Sequence, residues 1–367
     1  MKKYNLARKP YRFLHLDMPL FVGLLLLVIA GLFILYSASN ENWSLVSKQI
    51  MRFAIAFVIM LIFAQIYPGR YKKWAPWIFA ISLILLLLVL GVGAISKGAQ
   101  RWLSLGLFTF QPSELMKLAV PIMLSAYLSE EHLPPNWRHI IVCFAMIIIP
   151  VLIIIKQPDL GTALIIAISG VFVLLLAGMS WKFIGSIIGL LTISLPVIWH
   201  FMRGYQRARV LTFFKPERDP LGRGYHIIQS KIAIGSGGFL GKGWLHGTQA
   251  HLHFLPANAT DFIFGVCGEE LGFIGCVLLL AIFLYIVGRG LYIARGAQDT
   301  FSRLLAGSLT LTFFVSFFVN IGMVIGILPV VGLPLPLISY GGTSMVTLMA
   351  GFGIIMSVHT HRKLLAS

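Results

Sequence analysis

The sequence predicts an all-α integral membrane protein of about ten transmembrane helices, with one long extracytoplasmic loop between spans 7 and 8. Three observations predict it. Of 367 residues, 58% are hydrophobic and 11% charged, whereas water-soluble domains carry about 25% charge because they must solvate a surface. Apolar runs close to the roughly 20 residues that cross a bilayer recur along the chain. No hydrophilic stretch is long enough to form a separate soluble unit, so residues 1–367 read as a single polytopic membrane domain.

The runs fall near 17–38, 47–67, 75–95, 113–129, 138–156, 160–179, 182–202, 262–288, 302–327 and 343–360. Inside hydrocarbon every backbone polar group must pair within its own segment, so each run is a helix. The fourth is short and carries Glu114 and Lys117. The basic N-terminus precedes an apolar run too long for a signal-peptide core, with no small-residue cleavage site, so the first span is expected to stay. Orientation follows the cations. Lys2, Lys3, Arg8, Lys9, Arg12, Arg70, Lys72, Lys73, Lys182, Arg289, Arg295, Arg303, Arg362 and Lys363 fall on the termini and the even-numbered connections. The positive-inside rule places that side, with both termini, in the cytoplasm.

Residues 203–261 form the long loop, and parity puts it outside. It nevertheless carries Arg203, Arg207, Arg209, Lys215, Arg218, Arg223, Lys231 and Lys242, and the smaller outer connections add Lys97, Arg101 and Lys156. Long loops translocate regardless of charge, so a merely tolerated basic loop is one reading. The reading adopted is an anionic ligand met at the outer leaflet, which part of the net charge of +17 serves. Nucleic acid is excluded as a partner because no basic stretch sits on a soluble module. Within the loop, Tyr225–Ile234 is amphipathic and predicts a short interfacial helix, and Gly235–Gly247 is a glycine-rich turn region.

The 12 acidic residues are few enough to place one by one. Most sit at span ends or in loops, but Glu114, Asp159, Asp261, Glu269 and Glu270 lie within or against spans. There an ionisable group costs about 2.5 kcal/mol or more and marks a functional hypothesis. Glu114 and Lys117 are three apart on one helix face, either an internal ion pair or part of a site. Asp159, after a proline and before a span, reads as a helix cap or as a lining of the outer cavity. Asp261 closes the long loop immediately before the eighth span. A capping role is open to it, but the water–hydrocarbon boundary is also where a carboxylate gains the basicity of a general base. Glu269 and Glu270 are adjacent and point in different directions. Pro334, Pro336, Gly341 and Gly342 interrupt the helix between the last two spans, and such backbone persists at depth only against protein or a wet cavity. Cys143, Cys267 and Cys276 form no disulfide framework. His246, His251 and His253 are too loosely spaced for a metal site.

Several blocks in one order carry a resemblance: Ile95-Ser-Lys-Gly-Ala-Gln-Arg-Trp102, Phe110-Gln-Pro-Ser-Glu114, Gln157-Pro-Asp-Leu-Gly-Thr162, Gly224-Tyr-His-Ile-Ile-Gln-Ser-Lys231, Thr260-Asp-Phe-Ile-Phe264, Glu269-Glu-Leu-Gly272 and Pro336-Leu-Ile-Ser-Tyr-Gly-Gly342. The chain resembles the SEDS family (shape, elongation, division and sporulation proteins), with loop 234–249 closer to the elongation branch than to the division branch. The resemblance implies a peptidoglycan glycosyltransferase of the bacterial inner membrane that polymerises lipid II on the outer face during cell elongation. It also implies a class B penicillin-binding protein as partner within the elongation machinery. The family's essential aspartate maps onto Asp261, the expected catalytic residue. Lys97, Arg101, Glu114, Lys117, Asp159, Arg207, Lys231, Glu269 and Ser339 are expected to bind substrate. No metal ligand set is expected, though a divalent ion (Mg or Mn) at the carboxylates is compatible with the chemistry. Two other readings stay open: a lipid II flippase or carrier, and a non-catalytic scaffold of the elongation machinery.

Overall fold

The computed structural model describes residues 15–92, 94–96, 99–104, 109–180, 204–218, 223–251 and 257–361, with scattered positions between 181 and 202. It is a bundle of long helices: α1 (Met18–Ala38), α2 (Trp43–Gln65), α3 (Pro68–Val92), α4 (Pro112–Leu128), α5 (Trp137–Lys156), α6 (Leu160–Leu176), α7 (Gly204–Phe214), α8 (Arg223–Gly237), α9 (Ile263–Arg295), α10 (Thr300–Val324) and α11 (Thr343–Thr360). Starts are written in the sequence. Asp17, Asn42, Asp159 and Asp299 each accept a bond from the backbone N–H three residues on, satisfying a donor that the first turn leaves unpaired.

Seven helices (α1, α2, α3, α5, α9, α10 and α11) are long and apolar enough to cross a bilayer. The fourth and sixth predicted spans are helices of 17 residues each, about 26 Å long at 1.5 Å per residue. Helix α4 is buried along most of its length, so protein rather than lipid surrounds its charges. The seventh predicted span, 182–202, falls mostly outside the described residues. The helical fold class stands, with one small antiparallel sheet beside it in the order β1 (Ala94–Ser96), β2 (Ala99–Ser104), β3 (Thr109–Phe110). Two expectations need correction. The third span begins at Pro68 and ends at Val92, where the chain turns into that sheet. The eighth span is 33 residues long and broken at Gly272, whose φ of 64° and ψ of −161° belong to no helix.

The bundle wears its apolar residues on both sides. Val22, Leu26, Ile55, Trp77, Ile84 and Ile141 are exposed on its outside, which hydrocarbon solvates and water does not. Inside, Phe283, Phe313, Phe317 and Phe352 join α9, α10 and α11, with ring centroids 4.5 Å apart for Phe283–Phe317 and 5.0 Å for Phe313–Phe352. Apolar burial drives little between helices in lipid, so close backbone approach matters more. A Cβ on Gly353 of α11 would lie 2.4 Å from the Met60 carbonyl of α2.

One end of the bundle is fastened by Asp17. Its carboxylate accepts two bonds from Arg289 (2.9 and 2.7 Å) and lies 3.3 Å from His359 Nε2, joining the start of α1 to the ends of α9 and α11. Burial alone would raise the carboxyl's pKa. Arg289, the Leu20 N–H and His359 more than offset that and hold it below the ordinary carboxylate range. On acidification the unfolded chain therefore takes up this proton first. The contribution to stability is complete above the unfolded pKa, about 3.9, and is lost as pH falls through the folded value. Unfolding temperature in detergent, wild type minus Asp17→Asn, is expected to be large and flat near neutrality and to shrink only below about pH 4.

Candidate active site

At the opposite end two non-helical runs meet. The turn at 257–262 closes on itself through Thr260 N–H to Ala257 O (3.0 Å) and Phe262 N–H to Ala257 O (3.3 Å). Residues 325–342 run without helix between α10 and α11. Ser339, buried, fastens one to the other. Its hydroxyl donates to Thr260 O (2.6 Å) and accepts from the Leu335 N–H (2.8 Å), and the Tyr340 N–H donates to Ala259 O (2.8 Å). From α2, Gln49 donates to Ser339 O (3.3 Å) and the Arg52 guanidinium lies 4.4 Å from the Tyr340 ring centre.

Asp261 sits in this turn, half-buried. Helix α9 starts from Phe262 with no side-chain cap, so the carboxylate is not consumed as the N-cap of α9. Its Oδ2 faces Gly332, 3.7 Å from where a Cβ would stand on that glycine, and its backbone carbonyl accepts from Asn320 Nδ2 (2.9 Å).

The next layer is the start of α6. Asp159 caps it through Thr162 N–H (3.3 Å), and it also accepts from Gln111 Nε2 (2.9 Å) and stands 3.9 Å from Arg101 Nη1. Arg101, carried on β2, donates to the Gln157 and Pro158 carbonyls as well. A Cβ on Gly161, two residues after Asp159, would be 3.1 Å from Leu333 and from the Val331 carbonyl, so the start of α6 backs directly onto the run that faces Asp261. Beyond it a cavity opens among α4, α10, α11 and that run, with Glu114, Lys117, Leu333 and Pro336 in its wall. Glu114 and Lys117 pair at 2.7 Å, and the second Glu114 oxygen has no hydrogen-bond partner.

That pair gives a separable expectation. Lys117→Met alone leaves a buried, uncompensated carboxylate and should cost about 3–5 kcal/mol, whereas Glu114→Gln with Lys117→Met should regain most of that stability. Unfolding midpoints check the stability of both. Turnover measured on the refolded-competent double variant then separates an internal ion pair from a site component, because only the second loses turnover.

With the geometry in place, comparison with known proteins decides the family. The FtsW/RodA/SpoVE family model, described as "Cell cycle protein", matches residues 12–364. The chain belongs to this family. It is similar to the peptidoglycan glycosyltransferase MrdB of Escherichia coli K12, 52% identical over 353 residues that cover 96% of this chain and 95% of that one. It is 36% identical to a probable peptidoglycan glycosyltransferase FtsW of Trichlorobacter lovleyi, over 98% of this chain and 97% of that one. Among solved structures it resembles a chain of a peptidoglycan synthase complex, in work on the coordination of polymerization and crosslinking (TM-score 0.81, 31% identity, 95% and 99% coverage). It also resembles the rod-shape-determining protein RodA of Thermus thermophilus (TM-score 0.72, 26% identity, 95% and 98% coverage).

In this FtsW/RodA/SpoVE member, three of the predicted substrate ligands among the described residues do not join the others. Lys97 lies outside the described residues. Arg207 is half-buried and donates to the Trp199 and His200 carbonyls. Lys231 lies against Gly326, beyond the end of α10, with its Cε 2.2 Å from where a Cβ would stand there. Glu269 is fully buried and is consumed by the glycine-rich loop, accepting from Lys242 Nζ (2.7 Å), Thr248 Oγ1 (3.0 Å) and the Gln249 N–H (3.0 Å). Glu270 turns away to α1, where the Ser37 hydroxyl donates to it at 2.5 Å. Ser339 reaches the site as a clasp on its backbone. Among the described residues no three His, Cys, Asp or Glu side chains are grouped to hold a metal ion. Asn320 and Gln49 within spans, and Gln111 just before one, carry no charge to mark them in the sequence. An uncharged amide in an apolar run carries a weaker form of the same signal.

Proposed function

We propose that this chain is a peptidoglycan glycosyltransferase that extends glycan strands from lipid II during cell elongation, with Asp261 as general base. The observation that carries the reading is a half-buried carboxylate at the head of α9, turned toward Gly332 in the run whose next residue, Leu333, walls a cavity lined by Glu114 and Lys117. The 52% identity to MrdB over nearly the whole chain supports the activity. Asp261 takes the proton from the 4-hydroxyl of the acceptor sugar as that oxygen attacks the anomeric carbon of the donor. The new C–O bond forms, the bond from that carbon to the pyrophosphate oxygen breaks, and undecaprenyl pyrophosphate leaves with the electron pair. Arg101 of β2, together with Lys97, supplies positive charge for the departing pyrophosphate.

The topology that serves this reaction has ten spans in one polytopic domain of the bacterial inner membrane: the seven long helices, α4, α6 and the segment 182–202. Both termini and the Asp17 end are cytoplasmic, and Asp261 and the loop 203–261 face outward. A class B penicillin-binding protein is the partner that crosslinks the product, in keeping with the synthase complex the fold resembles.

Purified protein, with and without that partner, tests the reading on fluorescently labelled lipid II in detergent micelles. Micelles have no leaflets, so a flippase gives no product there and a scaffold gives none without a polymerase. Ladders of uncrosslinked glycan are expected. Their absence from folded, partner-bound protein would overturn the assignment.

A further inference from the structure

We propose that Asn320 is a positioning residue for Asp261, holding the backbone on which that carboxylate is mounted. This rests on the reading of Asp261 as the base. Asn320 lies in the last turns of α10 and is completely buried. Such an amide is costly to bury unless it is bonded. Both hydrogens of its Nδ2 are used, on Asp261 O at 2.9 Å and Leu333 O at 2.6 Å. Both partners are carbonyls and can only accept, so the nitrogen is the atom that faces them. Neither carbonyl belongs to a helix. One lies in the turn carrying Asp261, the other in the run whose Leu333 walls the cavity. Backbone acceptors at this depth need a protein donor, and one side chain supplies it to both.

The placement bears on reach as well as on packing. Ser339 fastens the turn at Thr260 from one side. Asn320 fastens it at Asp261 itself, from α10. Together they fix the turn against the run that contains Gly332, toward which the Asp261 carboxylate points. Without Asn320 the Asp261 carbonyl loses the bond that ties it to α10, and a displacement of about 1 Å in a reacting group costs on the order of 100-fold in rate. Substrate binding draws on the cavity and on Arg101 of β2, and Asn320 meets the cavity wall only through the Leu333 backbone carbonyl.

Asn320→Ala tests this on labelled lipid II, with rates expressed per folded molecule and the folded fraction counted by capture of the penicillin-binding partner. The expected result is a fall in kcat of about 10- to 100-fold with KM unchanged within about threefold. Asn320→Ser, which keeps one donor, should fall between it and wild type, and it carries the same test if the alanine variant is not recovered folded. A kcat per folded molecule equal to wild type, with loss confined to the folded fraction, would show a purely structural residue and overturn the proposal. Asp261→Asn is run alongside. If that variant polymerises normally the base assignment fails, whereas an inactive Asp261→Asn beside a fully active Asn320→Ala defeats only the positioning role.

Discussion

Asp261→Asn is expected to yield a folded membrane protein that still binds its penicillin-binding partner and makes no glycan. The substitution keeps the size of the side chain and the backbone carbonyl that Asn320 holds. The N-cap of α9 is Phe262 and takes no side-chain bond, so the helix start does not depend on the carboxylate. What is lost is an oxygen able to take a proton. Without a base, the acceptor hydroxyl must attack while still protonated, and general-base catalysis is worth about 10²- to 10⁴-fold. A change of that size takes polymerisation below detection in an ordinary gel assay. The unfolding midpoint should stay within a few degrees of wild type, since the isosteric change leaves the backbone anchors of the turn in place. Asp261→Glu restores a base one methylene out of place and should recover part of the rate.

Gly241→Ala is expected to damage the fold itself. Helix α9 can break at Gly272 because another backbone takes up its loose ends. Lys242 N–H donates to Glu269 O (3.0 Å), Gly243 N–H to Glu270 O (3.0 Å), and Phe273 N–H to Gly238 O (3.0 Å). The two backbones approach so closely that a Cβ on Gly241 would stand 2.1 Å from the Glu270 carbonyl oxygen, and Gly241 has φ of +82°. Forcing atoms apart there costs about 1–3 kcal/mol, and the left-handed conformation adds about 1–2 kcal/mol for a residue with a Cβ. The three bonds and the Lys242–Glu269 pair would open together. A lower unfolding temperature and rapid tryptic cleavage after Lys242 are the readouts. Gly238→Ala is the control. It also has positive φ (+57°) but nothing within 4 Å of its Cβ position, so it should show the conformational cost alone.

What could be read from the sequence divides along physical lines. Membrane spans are legible because hydrocarbon forbids unpaired backbone, and Met18–Ala38 or Trp137–Lys156 admit no other solution. The Glu114–Lys117 contact is legible because three-residue spacing on a helix dictates it. The sheet at 94–110 was not, since strands of three, six and two residues are too short to show alternation. Gly272 was not distinguishable from Gly268 or Gly275 in the same apolar run, because its break depends on a loop some thirty residues earlier in the chain. Charges were the least transferable signal. Arg207 and Lys231 look like ligands for an anion, yet the fold sets Arg207 on carbonyl oxygens and Lys231 on a glycine beyond a helix end, and a one-dimensional pattern cannot tell a phosphate from a carbonyl. The same limit applies in reverse to Asn320, whose importance comes from two carbonyls that the sequence does not bring near it.

The claim on which the account turns is that the reacting sugars of lipid II lie at the turn bearing Asp261. A photoreactive amino acid placed at Thr260, with the same probe at Lys73 on the opposite end of the bundle, tests it most directly in membranes supplied with labelled lipid II. The account predicts light-dependent capture of lipid II at position 260, competed away by unlabelled lipid II, and none at position 73. Capture at position 73 with none at position 260 would contradict it.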